Sequence, residues 1–143
     1  MIKIKKQIHI DAPVEKVFEF ATEPENMPEI WPSMIKVDNI EKLSSGGNEY
    51  DWDYKMAGMP FHGHTYTTEF EPNKHVVAEN KTGIPSKFVW DYRAHNGGTQ
   101  LDLQVEYEVP VPLLGKLAEK AVRKINENEA EVMLANLKVV AEM

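Results

Sequence analysis

The sequence predicts an α+β domain in which a curved antiparallel β-sheet wraps around a long C-terminal helix, with two short helices after the first strand. Three observations predict it. Apolar and polar residues alternate with period two over residues 2–10 and again through most of 35–109, the mark of half-buried strands. Tight-turn signals at Ser44-Ser45-Gly46-Gly47-Asn48, Pro72-Asn73 and Asn96-Gly97-Gly98 cut the second stretch, so consecutive strands pair as a meander. From Leu113 to Met143 there is no proline and only Gly115, and apolar residues recur at helical spacing.

Each element follows in order. Ile2, Ile4, Ile8 and Ile10 share one face of the first strand, with Lys6 breaking it near the middle. Asp11-Ala12-Pro13 reads as an N-cap and an early helical proline. Val14, Val17, Phe18 and Ala21 then give that helix an apolar stripe. Pro24, Pro28 and Pro32 leave room only for a short helix near Glu25 to Ile30. Ile35, Val37 and Ile40 begin the sheet's next strand. Tyr50, Trp52, Tyr54 and Met56 face one way on the strand after it, and Glu49, Asp51, Asp53 and Lys55 the other. Gly58-Met59-Pro60 is expected to turn the chain before Phe61 to Glu71 and then His75 to Lys81; flanked by Gly58 and Gly63, that turn could gate a pocket mouth or be a plain flexible loop. Phe88, Trp90 and Tyr92 oppose Val89, Asp91 and Arg93; Leu101 to Val109 alternates likewise and closes the sheet. Arg93 is expected to meet Glu106 or Glu108 across a strand pair. Leu117, Ala118, Ala121, Val122, Ile125, Val132, Leu137 and Val140 form the long helix's apolar stripe.

Composition excludes several classes. The 143 residues suit one domain, 1–143, with an ordinary hydrophobic core. The net charge of −7 lies mostly in the middle of the chain and would repel phosphates, so nucleic acid is not an expected partner. No apolar run is long enough for a membrane span, and the lysine-rich start lacks the apolar stretch of a secretory signal. Without cysteine there is no disulfide or thiolate site, and a cytoplasmic location is expected. No phosphate loop or nucleophile elbow occurs, and neither cofactor nor metal is expected.

Ile8-His9-Ile10-Asp11-Ala12-Pro13-Val14-Glu15-Lys16-Val17-Phe18-Glu19-Phe20 resembles the first strand and helix of the START-like, helix-grip superfamily (SRPBCC), and within it the polyketide cyclase/dehydrase and lipid-transport group. Trp31-Pro32, Glu69-Phe70-Glu71-Pro72-Asn73-Lys74, Gly97-Gly98-Thr99-Gln100-Leu101 and Leu134-Ala135-Asn136-Leu137-Lys138 fit the same pattern, which covers essentially the whole chain. The resemblance implies a helix-grip fold with a cavity between sheet and C-terminal helix. It carries no catalytic residue over, because the group holds carriers, cyclases, hydrolase-like members and chaperone activators without one shared motif.

The candidate ligand-binding residues are the aromatic strand faces, Tyr50, Trp52, Tyr54, Phe88, Trp90 and Tyr92, with Trp31 from the short-helix region. Their hydroxyl and indole groups need partners if buried. His62 and His64 point to one face of a strand, shared with Tyr66, Thr68 and Phe70. They could bind zinc with a third ligand, serve as polar groups in a pocket, or lie exposed near a hairpin; the sequence names no third ligand. Ile125 and Glu129 are the candidates on the long helix. A carboxylate near its buried face is costly unless paired or open to water in a cavity; a slight rotation of the helix would turn Glu129 to solvent, and if it faces inward it is the candidate ligand contact or general base. Three functions remain open: a carrier of a small hydrophobic molecule (lipid-, aromatic- or polyketide-like), a cyclase/dehydratase-type enzyme using the same cavity, and a partner-activating protein whose acidic face includes Asp51 and Asp53. No oligomeric state is expected from the sequence.

Overall fold

A computed structural model describes residues 1–109 and 119–143. Seven strands form one antiparallel sheet: β1 (Ile2–Ile10), β2 (Met34–Lys42), β3 (Asn48–Met56), β4 (Met59–Glu71), β5 (His75–Asn80), β6 (Ser86–His95) and β7 (Gly98–Tyr107). Their order is β1-β7-β6-β5-β4-β3-β2, so the meander from β2 to β7 ends by pairing with the N-terminal strand. Helix α1 (Val14–Ala21), a 3-10 turn (Pro24–Asn26) and α2 (Met27–Ile30) connect β1 to β2, and α3 (Glu119–Ala141) follows the sheet. The expected α+β helix-grip architecture is the one observed: a curved sheet holding a long helix on its inner face.

Alternation decides which side chains enter the core. Ile2, Ile4 and Ile10 of β1 are buried beside Leu101, Leu103, Val105 and Tyr107 of the adjacent β7. Lys6 falls on the same inner face, yet its Nζ reaches Glu131 Oε1 on α3 at 2.7 Å and Glu127 Oε2 at 3.7 Å. The interrupting lysine therefore ties the helix to the strand. The Glu131 hydrogen bond is the main cause holding the Lys6 ammonium above its usual range. At the helix's other end Lys138 Nζ donates to the His9 carbonyl at 3.1 Å, and the Asp11 backbone N–H donates to Glu142 at 2.8 Å.

The buried face of α3 is Val122, Asn126, Ala130, Met133, Leu134, Leu137 and Ala141. Spacings of three and four residues define it, but it is turned from the expected stripe: Ile125 is 39% exposed and Val132 is also exposed. The register follows the better-packed set, since burying a large aliphatic side chain contributes roughly 1.5–3 kcal/mol. The expected helical residues Leu113 to Ala118 lie outside the described residues, as do the first positions of the stripe.

Other local expectations are corrected. Pro13, not Asp11, occupies the N-cap of α1, and no side chain caps that end. Ala57-Gly58 makes the β3–β4 turn, both at positive φ, while Met59 and Pro60 already belong to β4. Arg93 lies opposite Gln100, not Glu106 or Glu108, and β7 ends at Tyr107 rather than Val109. No helix of the described residues is long and apolar enough to cross a membrane.

Candidate functional site

Parity and sheet curvature turn the aromatic faces of β3 and β6 toward α3. Trp52, Tyr54, Trp90 and Tyr92 are buried there, and Tyr50 and Phe88 are half-buried beside them. Between these rings, α2 and α3 lies a cavity of about 140 Å³. Trp31, Tyr50, Trp52, Tyr54, Phe88, Trp90, Tyr92 and Glu129 all reach its wall. The rings meet edge-on: Trp31 lies 5.4 Å from Tyr54 and 5.5 Å from Phe88 between centroids. Gly63 occupies the inner face of β4 opposite Trp52, and a Cβ there would run into the indole ring. It is a packing residue within the strand, not part of a gating loop.

Four of the expected site residues lie elsewhere. His62, His64 and Tyr66 have the opposite parity from the cavity wall and stand on the outer face of β4. His62 pairs with Asp53 across the strands. His64 Nδ1 lies 2.7 Å from Asp51 Oδ1 and its Nε2 3.3 Å from Glu49 Oε1. Tyr66 is 46% exposed, and Ile125 is turned away from the cavity with the outer face of α3. No cluster among the described residues has the makings of a metal site. Phe70 departs from the parity of His62 to Thr68, because a bulge between Thr67 and Glu69 shifts the register. The same bulge lets Phe70 line the cavity and pack 5.4 Å from Phe18. It also leaves Glu69 beside His75, whose Nε2 is 3.2 Å from Glu69 Oε1 and whose Nδ1 is 2.6 Å from Asp91 Oδ1. Asp91, and less strongly Glu69, holds the His75 imidazole above its usual pKa despite partial burial.

The polar atoms of the wall are organised by residues that sequence reasoning missed. Asn80, buried at the end of β5, accepts from Trp52 Nε1 at 3.0 Å and from the Thr65 hydroxyl, and donates to Ser86 Oγ at 2.7 Å. Asn126 Nδ2 donates to Tyr107 Oη at 2.7 Å. Both were legible by periodicity: Asn80 continues Val76 and Ala78, and Asn126 lies one turn from Val122 and Ala130. Their polarity hid them from a search for apolar positions.

Glu129 enters the cavity wall from α3, and its Oε1 accepts the Ser33 backbone N–H at 2.9 Å. That bond ties α3 to the segment between α2 and β2. Burial pushes the Tyr54 phenol up, the nearby Glu129 carboxylate adds to the rise, and polar groups of Trp31 and Ser33 partly offset it. Burial also raises Tyr92, and raises Tyr107 to about 12 against the opposing hydrogen bond from Asn126. These phenols stay protonated at neutral pH and can donate hydrogen bonds.

The family profile described as polyketide cyclase / dehydrase and lipid transport matches residues 1–142. The chain belongs to this family. Solved structures share its fold at low sequence identity. A START superfamily protein from Mycobacterium smegmatis has a TM-score of 0.82 at 15% identity, covering 98% of this chain and 97% of that one. The Zhui aromatase/cyclase from a Streptomyces species has a TM-score of 0.80 at 17% identity, covering 99% and 93%. A Thermus thermophilus protein has a TM-score of 0.77 at 20% identity, covering 96% and 95%. Among curated proteins, none matches this chain. These proteins therefore share the sheet-and-helix frame seen here, while the cavity's chemistry is set by this chain's own residues.

Proposed function

We propose that this family member works as a single-domain carrier that binds a small hydrophobic molecule, aromatic, lipid-like or polyketide-like, in the cavity between the sheet and α3. The observation that carries the reading is the ring-lined cavity itself. Seven aromatic side chains drawn from β3, β6 and the α2–β2 segment converge on unfilled space, where a chain needing only stability would pack aliphatic residues to near-crystalline density. Removing apolar surface from water supplies the affinity, at about 25 cal/mol per Å². The space compares with an engineered cavity of about 150 Å³ that takes up benzene. A molecule of one ring fits as the side chains stand, and a longer ligand requires them to move. The proposed setting is the cytoplasm, and the proposed partner is the small molecule, not nucleic acid.

A second reading, a cyclase/dehydratase-type enzyme, is favoured by one observation: Glu129 reaches the cavity beside a protonated Tyr54. That pairing offers a base and a hydrogen-bond donor on one wall. Organic extraction of the purified protein followed by mass spectrometry separates the carrier reading from an empty scaffold. An apolar compound present at a fixed ratio to protein, and absent from an Ala130→Phe variant that fills the cavity but remains folded, is the expected result. The same compound in both preparations would place it outside the cavity. Turnover of a trial polyketide-type substrate that is lost in Glu129→Gln while its binding persists would favour the enzyme.

A further inference from the structure

The cavity wall is more selective than its apolar character suggests. Among the described residues it contains one carboxylate side chain, Glu129, and no lysine, arginine or histidine. The ion pairs formed by the described lysines all lie elsewhere, on Glu106, Glu127, Glu131, Asp38, Glu23 and Glu142. Glu129 uses Oε1 for the Ser33 N–H, which leaves Oε2 for a ligand. The Trp31 indole N–H, buried and close to the Tyr54 phenol, makes no well-aligned hydrogen bond, and Trp31 stands edge-on to Tyr54. A second uncommitted acceptor, Asn48 Oδ1, is buried elsewhere on the wall, while its Nδ2 donates to the Thr22 carbonyl at 3.1 Å.

From this placement we propose that the cavity takes a neutral apolar molecule bearing a hydroxyl group, an alcohol or a phenol, and rejects carboxylates and other anions. The inference rests on the carrier reading above and narrows it to a ligand class. A hydroxyl both donates and accepts, so one oxygen can give its proton to Glu129 and receive the Trp31 N–H. A ketone or ester satisfies Trp31 alone, and an ammonium satisfies Glu129 alone. A carboxylate can only accept. It would also bring a second negative charge toward Glu129, with no described cation on the cavity wall to offset either.

Trp31, Trp52 and Trp90 are the chain's three tryptophans, and all three line the cavity. Their indole N–H signals in proton–nitrogen NMR spectra therefore report occupancy directly. The full chain is titrated near neutral pH with ethylbenzene, 2-phenylethanol and phenylacetate, which share a ring and differ in the polar end. The expected result is saturable movement of the indole signals by ethylbenzene and 2-phenylethanol, with phenylacetate weaker than the alcohol by at least about tenfold. Glu129→Gln should strengthen phenylacetate severalfold relative to ethylbenzene. Phenylacetate binding within about twofold of the alcohol, or a gap that Glu129→Gln does not narrow, would overturn the hydroxyl assignment while ethylbenzene binding upholds the cavity. If none of the three moves an indole signal, the carrier reading and this inference fall together.

Discussion

Replacing Asn80 with leucine keeps a branched side chain of similar shape but removes a buried hydrogen-bonding hub. In the folded protein Asn80 accepts from the Trp52 indole and the Thr65 hydroxyl and donates to Ser86. The losses are unequal. Trp52 is buried and its N–H has no second acceptor, so orphaning it costs about 1–3 kcal/mol. Thr65 can turn its hydroxyl toward Tyr50, and Ser86 still donates to the Ile84 carbonyl at 2.9 Å, so these partners together add about 0.5–1.5 kcal/mol. The total is about 1.5–4.5 kcal/mol, or roughly 5–16 °C in Tm for a chain of this size. Urea denaturation followed by tryptophan fluorescence measures it, and a double-mutant cycle with Trp52→Phe isolates the indole bond. A loss below about 0.5 kcal/mol with no coupling to Trp52 would refute the reasoning, because water in the cavity would then be replacing Asn80 as the acceptor.

Three further perturbations test separate parts of the fold. Asp91, then Glu69, raises the His75 pKa above its ordinary 6.5 in the folded state. The resulting stability is therefore complete below pH 6.5 and is lost as pH rises through the folded-state pKa. Urea midpoints of the wild type and His75→Gln should converge as pH climbs from about 5.5 toward about 9, and a constant offset would contradict this linkage. Gly63→Ala places a methyl group against the Trp52 ring, so it should cost about 1–3 kcal/mol and shift the Trp52 indole NMR signal; an unshifted signal would contradict the packing. Lys6→Ile completes the inner apolar face of β1 and gives up only partly exposed ion pairs, so its stability should change by less than about 1 kcal/mol in thermal melts. A loss beyond about 2 kcal/mol would contradict this small energetic weight for the Lys6 tie to α3.

Strand parity made most of the fold legible. The alternation of Tyr50, Trp52 and Tyr54 against Asp51 and Asp53 needs only a period of two and one covered face, and both strands of the aromatic wall follow it. The same rule would have excluded His62, His64 and Tyr66 once β4 was paired with β3: Gly63 and Thr65 meet Trp52 and Tyr50 on the inner face, which leaves the histidines opposite Asp53 and Asp51. That pairing is a long-range fact that the β4 residues alone do not contain. Phe70 was hidden by the Thr67–Glu69 bulge, an inserted residue that periodicity cannot anticipate. The rotation of α3 was hidden by Asn126, a polar residue whose burial makes sense only with the Tyr107 hydroxyl beside it. Glu129 could be placed near the inner face by spacing, but its role depends on the Ser33 N–H, far away in sequence. Local pattern thus located the walls, and tertiary pairing decided which polar groups joined them.

The account stands on unfilled, ring-lined space between the sheet and α3. Crystals of the protein grown with bromobenzene test it most directly, because the bromine's anomalous signal locates the molecule independently of any interpretation. The account predicts a single strong peak enclosed by Trp52, Trp90 and Met133. Bromine found only on the outer face of the sheet, with side chains closing the interior, would contradict it.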